Sequence, residues 1–388
     1  MQAQQDPGAG KAGRIPYYRE RIFRPTRPAH AGHRPASSPQ PIRPSPDMPN
    51  DARLDLLQVW LQQQHPDLGL RLDSIRPASS DASFRRYFRV DAAASTGGSL
   101  IVMDAPPPME DCAPFVHAAG VFARSRISVP RIVASDLAQG LLLLEDFGSV
   151  TYLEQLDAQR APALYQDALR ALVMLQLDSR DNSFAPYDHA RLLAELELFA
   201  QWYVARHLGV TLSPSERQML DDTFEQIVQC ALAQPRVHVH RDYHSRNLMV
   251  LPDARNPGVL DFQDALYGPI TYDLVSLLRD AYIRWEEEQV LDWAIRYWEL
   301  ARKAHLPVPS DFGAFYRDFE WMGLQRHLKV LGIFARLYHR DGKDRYLADL
   351  PLVLRYVREM AGRYVALKPL ALLLDRLDGR TPAIMHTF

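Results

Sequence analysis

Val237-His-Val-His-Arg-Asp-Tyr-His-Ser-Arg-Asn-Leu-Met-Val-Leu251 holds three histidines, two arginines and an aspartate between apolar ends. So polar a stretch, bracketed by strand formers, predicts a loop pinned between short strands. Fourteen residues after Asn247, the run Gly258-Val-Leu-Asp-Phe-Gln-Asp264 places Asp261 at the end of a second short apolar strand. Two loops then present His240, Asp242, Asn247 and Asp261 together. Phosphoryl transfer from a nucleotide needs a carboxylate to orient and deprotonate the accepting hydroxyl, and hard oxygen ligands to hold Mg²⁺ against the phosphates. Asp242 suits the first role. An amide oxygen five residues later and a carboxylate on the next strand, Asn247 and Asp261, suit the second.

Outward from this segment the chain changes character on each side. Towards the N-terminus, Leu70 to Ile75, Phe84 to Val90, Leu100 to Met103, Ile132 to Ala134 and Leu141 to Leu144 have strand composition, with a helical stretch at Phe115 to Arg124 among them. Leu54, Leu57 and Leu61 beside Trp60 predict a short helix before the first strand. After Phe147 amphipathic helical patterns run near 161–178, 189–207, 215–233, 271–303 and 312–339. The expectation is an α+β chain: a small sheet lobe over 48–147, a connector near 145–148, and a larger helical lobe over 148–388. Residues 1–47 hold 9 of the 29 prolines and 8 Lys/Arg against 3 Asp/Glu, which reads as a disordered basic tail.

Composition narrows the function classes. Among 388 residues, 47% are hydrophobic and 24% charged, enough apolar surface for a substantial core. A net charge of -2 argues against nucleic-acid binding through a basic surface. No apolar run approaches the ~20 residues of a membrane span. Only Cys112 and Cys230 occur, far apart, and the tail lacks the apolar core of a secretory signal, so a reducing cytoplasmic setting is expected. Nothing in the sequence sets an oligomeric state.

His240-Arg-Asp242 with Asn247, followed by Asp261-Phe262, resembles the motifs shared by protein kinases and the aminoglycoside and choline phosphotransferases. The second branch is the better match, with a further histidine at His244 and the element Tyr272-Asp273-Leu274 downstream. Within it, His240 to Leu248, Asp261 to Ala265 and Tyr267 to Val275 look most like the bacterial N-acetylmuramate/N-acetylglucosamine anomeric kinases of cell-wall recycling. The resemblance implies a protein-kinase-like two-lobed fold over residues ~50 to 380, ATP as donor and a free amino sugar as acceptor. It also implies Asp242 as catalytic base and Asn247 and Asp261 as Mg²⁺ ligands. His240 and Asp273 are expected to brace the loop. His244, Arg246 and Asp264 are candidates for substrate contact.

The sheet lobe departs from the family pattern. Ala78 to Val90, where a phosphate-covering loop is expected, contains no glycine, and Ser79, Ser80 and Ser83 are the groups available to cover phosphates. Met103 stands where the family places a lysine, which makes Arg86 the candidate replacement cation. Leu143-Leu144-Glu145-Asp146 resembles a hinge whose backbone meets adenine. For the acceptor, 8 acidic and 9 basic residues between Ala281 and Arg340 disfavour a polycationic antibiotic. An acid-bearing sugar would instead pair with a guanidinium, with Arg279, Arg284 and Arg326 as candidates. The competing readings are a kinase of the same superfamily acting on an aminoglycoside, choline or another alcohol, and a non-catalytic nucleotide-binding scaffold.

Overall fold

A computed structural model describes residues 51–64, 66–80 and 84–379. The basic tail and Ser83 lie outside the described residues, and of Ser79 and Ser80 only the backbone is described.

Helix α1 (Ala52–Gln64) precedes an antiparallel sheet of β1 (Arg71–Ser80), β2 (Arg86–Asp91), β3 (Ser99–Asp104), β4 (Ile132–Asp136) and β5 (Leu141–Glu145), in the order β1-β2-β3-β5-β4. Helix α2 (Ala113–Arg124) is inserted between β3 and β4. The unbroken leucines of β5 follow from its place inside the sheet with both faces covered. Leu141 and Leu143 join Val90, Val102 and the α1 residues Leu57, Trp60 and Leu61 in one cluster, while Leu142 and Leu144 join α2 and the main core. Strand β1 runs on to Ser80, paired with Arg86, so Ser79 and Ser80 belong to a hairpin arm and not to the expected covering loop.

The helical lobe comprises α3 (Tyr152–Gln155), α4 (Ala161–Leu177), α5 (His189–Leu198), α6 (Pro214–Leu232), β6 (Arg236–Val239), β7 (Leu248–Met249), β8 (Gly258–Val259), β9 (Leu266–Pro269), α7 (Tyr272–Leu278), α8 (Glu287–Lys303), α9 (Phe312–Asp341), α10 (Leu350–Arg363) and α11 (Lys368–Leu377). Capping boxes at Thr151/Glu154 and Ser213/Glu216 start α3 and α6, and α5 continues as a π-helix over Phe199–His207. The 30-residue α9 is buried on most of its faces, as a helix at the centre of a lobe must be. Gly332 makes this packing feasible, because a Cβ there would stand 2.3 Å from the Leu198 carbonyl carbon. The predicted 271–303 helix is broken between Leu278 and Glu287. Residues in that break leave the helix so that Asp280 can bond the functional loop described next.

Candidate active site

Strand β6 pairs with β9 and β7 with β8, and the loop 240–247 is suspended between these two small ladders. Its shape is imposed by buried carboxylates on a neighbouring segment. Asp273 accepts the backbone N–H groups of His240 (2.7 Å) and Arg241 (2.9 Å), and Asp280 accepts both the N–H (2.9 Å) and the hydroxyl (2.5 Å) of Ser245. These bonds hold Arg241 at φ +78°, a conformation costly for a residue with a side chain. The Arg241 guanidinium then meets Glu195 at 2.5 Å and lies over the Tyr187 ring.

His240 joins the two loops. It is fully buried, donates Nε2–H to the Leu260 carbonyl (2.9 Å) and accepts the Asp242 N–H at Nδ1 (3.2 Å), so one neutral tautomer satisfies both bonds. Burial drives its pKa down to about 4. Asp261, at φ +62°, follows β8, while Phe262 turns into the core against Phe115 (4.8 Å between centroids) and Phe122 (5.7 Å). Gly258 leaves room for the connector, since a Cβ there would stand 2.6 Å from the Phe147 ring.

Asp242, Asn247 and Asp261 line one cavity of about 670 Å³. Asn247 Nδ2 lies 3.0 Å from the Asp242 carbonyl oxygen and 3.3 Å from Asp261 Oδ2, and Gln263 Nε2 donates to Asp261 Oδ1 at 2.7 Å. Nδ2 thus sits between two acceptors, which fixes the amide's orientation. Burial works against the Asp242 charge, but Lys329, His244, Arg326 and Arg241 outweigh it and hold the carboxyl down at about 2. Asp273, more deeply enclosed, is pushed up to about 7 by burial in spite of its two N–H donors.

At one end of the cavity stand Ile101, Pro130, Leu144, Met249 and Leu260, an apolar slot beside the connector. Glu145 and Asp146 line this end. Asp146 is clamped by Arg89 (Nε at 2.6 Å) and Ser99 (2.7 Å), and Glu145 by Arg255 (2.9 Å). At the other end are His244, Arg246, Tyr282, Arg326, Lys329 and Tyr346. Arg246 stacks on Tyr282 with its guanidinium carbon 3.6 Å from the ring centroid.

Two expected residues lie elsewhere. Arg86 does not line the cavity; it binds the buried Asp104 (Nε at 2.9 Å), which Arg53 also holds. Strand alternation is the reason, since Arg86, Phe88 and Val90 share a face and Phe88 and Val90 pack with α1, whereas Tyr87 and Arg89 reach the cavity. Asp264 is exposed and outside the cavity, its backbone oxygen 3.4 Å from Arg241. Met103 is fully buried in the main core, opposite Tyr87.

Sequence reasoning passed over Lys329, Glu195, Asp280 and Arg89. Lys329 had a readable signal: with five lysines to forty arginines in the chain, a lysine within the apolar run of α9 is conspicuous. Its ammonium, buried, lies 3.0 Å from both Glu195 Oε1 and the Tyr272 hydroxyl.

A sheet lobe, a helical lobe and a cavity where a carboxylate meets an amide–carboxylate pair define a phosphotransferase architecture. A model of the phosphotransferase enzyme family APH matches residues 74–306, and the chain belongs to that family. A protein named N-acetylmuramate/N-acetylglucosamine kinase from Pseudomonas putida is 46% identical over 85% of this chain and 98% of its own length. Its namesakes from Pseudomonas aeruginosa and Neisseria meningitidis are each 48% identical, covering 85% and 83% of this chain and 98% and 95% of their own. Among solved structures, the ADP-bound aminoglycoside phosphotransferase APH(2'')-Ib superposes with TM-score 0.52 at 16% identity, covering 80% of this chain and 99% of that one. A choline/ethanolamine kinase family protein from Mesorhizobium loti gives 0.55 at 14% identity, covering 82% and 99%. These likenesses establish the protein-kinase-like fold.

Proposed function

We propose that this chain is an ATP-dependent kinase that phosphorylates the anomeric hydroxyl of N-acetylmuramate and N-acetylglucosamine. The observation that carries the reading is high identity to kinases so named, extending over nearly their whole length. Adenine fits the apolar slot beside Glu145 and Asp146, where backbone groups of the connector are within reach. The sugar fits the opposite end, beside Asp242. A polycationic aminoglycoside is disfavoured there, because Arg246, Arg326, Lys329 and Arg345 all line that end of the cavity.

Asn247 and Asp261 are the residues that would hold Mg²⁺. Among the described residues no cluster of three or more His, Cys, Asp or Glu side chains could form a metal cage. One amide and one carboxylate is instead the donor set of a cation that takes its other ligands from phosphates and water. The bound cation would neutralise charge on the phosphates. Asp242 orients the acceptor hydroxyl towards the transferred phosphoryl group and receives its proton. With its carboxyl held low by the neighbouring cations, Asp242 is ionised at every physiological pH and can accept the hydrogen bond that aligns the hydroxyl. His240 ties Asp242 to the Leu260 carbonyl next to Asp261, fixing base and cation site relative to each other. No helix among the described residues is long and apolar enough to cross a membrane, and the cytoplasm, which supplies ATP, is the proposed location.

The test is a panel of acceptors with ATP and Mg²⁺, the product examined by ³¹P NMR. An anomeric sugar phosphate is expected. Turnover confined to an aminoglycoside or choline, or nucleotide binding with no turnover on any acceptor, would refute the proposal.

A further inference from the structure

Helix α9 presents a stripe to the cavity at helical spacing: Arg326, Lys329, Val330, Ile333, Phe334 and Leu337. Its cationic end lies beside Asp242 and its apolar end further along. The two cations are held differently. Lys329 is committed to Glu195 and the Tyr272 hydroxyl. Arg326, 3% exposed, donates Nε–H to Ser276 Oγ at 2.6 Å, yet its NH1 nitrogen is buried without a hydrogen-bond partner. No carboxylate stands at ion-pair distance from Arg326 among the described residues. A buried guanidinium in that condition is costly unless an anion completes it.

The remaining arginines at this end are exposed to solvent. Arg246 lies on Tyr282 and reaches Asp349 at 3.9 Å, while Arg345 sits over the Tyr346 ring and donates to its hydroxyl at 3.1 Å. Of the other arginines weighed for acid recognition, Arg279 is enclosed by Glu287 and Glu320, each at 3.3 Å, and Arg284 by Glu359 at 3.1 Å. On the same wall as Arg326, His244 keeps a buried Nδ1 without a partner, so a second polar group awaits the occupant. Arg326 acts electrostatically on Asp242, Asp273, His244 and Tyr282, which sets it beside the base that meets the acceptor, whereas the donor's phosphates belong with Asn247 and Asp261.

We propose that Arg326 determines acceptor specificity by pairing with the lactyl carboxylate that N-acetylmuramate carries and N-acetylglucosamine lacks. This inference rests on the sugar-kinase reading above. A planar guanidinium with one nitrogen anchored on Ser276 offers its free edge in fixed orientation, the arrangement that favours a carboxylate over a neutral hydroxyl.

The experiment measures kcat/KM for both sugars with the full chain and with Arg326→Gln and Arg326→Lys, at saturating ATP and Mg²⁺. The N-acetylmuramate to N-acetylglucosamine ratio is expected to fall about 10- to 100-fold in Arg326→Gln and by less in Arg326→Lys. The lactyl amide of N-acetylmuramate supplies the complementary deletion: the unaltered protein should favour acid over amide, and Arg326→Gln should not. If Arg326→Gln does not fold, Arg326→Lys carries the same comparison, and its preference for acid over amide must shrink. A ratio unchanged within about twofold overturns the inference, including the case where both sugars lose turnover together while the KM for ATP rises, which would assign Arg326 to the phosphates. Failure of the unaltered protein to use either sugar refutes the functional reading itself. Turnover of both sugars with an unmoved ratio refutes only the role of Arg326.

Discussion

Replacing His240 by asparagine should remove a defined part of the protein's sensitivity to acid. In the folded chain the imidazole binds a proton only near pH 4, against its ordinary value of 6.5, because burial disfavours the charged ring. Its Nδ1 accepts the Asp242 N–H, so protonation would set a donor against a donor. The sign follows from which state takes the proton first. Between pH 6.5 and pH 4 the unfolded chain is protonated at this residue and the folded chain is not, so stability falls with falling pH. Integrated from pH 7 to pH 5, these two values give a loss of about 2 kcal/mol from His240 alone. Asparagine keeps one donor and one acceptor but cannot titrate. Its lost packing against Phe122 and Tyr243 costs the same at both pH values and cancels in the comparison. Asp273 titrates with the opposite sign: its folded value of about 7 lies above its ordinary 3.8, so its contribution is lost as pH rises through 7. The informative quantity is therefore the change in urea unfolding free energy between pH 7 and pH 5, native minus His240→Asn. A difference of about 2 kcal/mol is expected; equal changes in the two proteins would show that this imidazole is not held neutral in the fold.

Asp242→Asn should lower turnover by roughly 10²–10⁴-fold with the thermal transition retained, and near-normal turnover would remove Asp242 from the mechanism. Asp261→Ala should abolish the enhancement of nucleotide binding by Mg²⁺, followed with a fluorescent ATP analogue; an unaltered Mg²⁺ titration would count against the cation site. Phe262→Ala, which empties a fully buried ring from between Phe115 and Phe122, should cost about 3–5 kcal/mol in urea unfolding. A loss under 1 kcal/mol would mean that the aromatic cluster does not carry the contact between α2 and Phe262.

What the sequence disclosed was whatever is local in the chain. The five sheet strands and most helices follow from periodicity within a few residues, and Asp242, Asn247 and Asp261 stand close enough in sequence to be read as one constellation. The misreadings came from features set at long range. Whether Arg86 or Arg89 reaches the cavity depends on which face of β2 meets α1, a matter of packing and not of composition. Serines expected in a loop are drawn into β1 by pairing with β2. The break after Leu278 exists because Asp280 is needed by Ser245, 35 residues earlier. Lys329, Glu195 and Arg241 form a charge network whose members come from three separate segments, and only tertiary structure gathers them.

Burial separates the carboxylates that can react from those that support. Asp273 spends both oxygens on backbone N–H groups of the loop, and Asp280 spends both on Ser245 and the Tyr282 N–H. Asp104 is likewise consumed by Arg53 and Arg86. A carboxylate so enclosed does not border the cavity, and opening it would leave buried donors unsatisfied. Asp242 and Asp261 are half-buried and border the cavity, where incoming groups can complete their coordination. The two carboxylates that hold the loop, Asp273 and Asp280, lie on or just after α7, every residue of which is buried. Moving the loop would therefore require unpacking that helix, which is how a short, strained segment carrying Arg241 at positive φ is kept in a single shape without a disulfide or a rigid strand of its own.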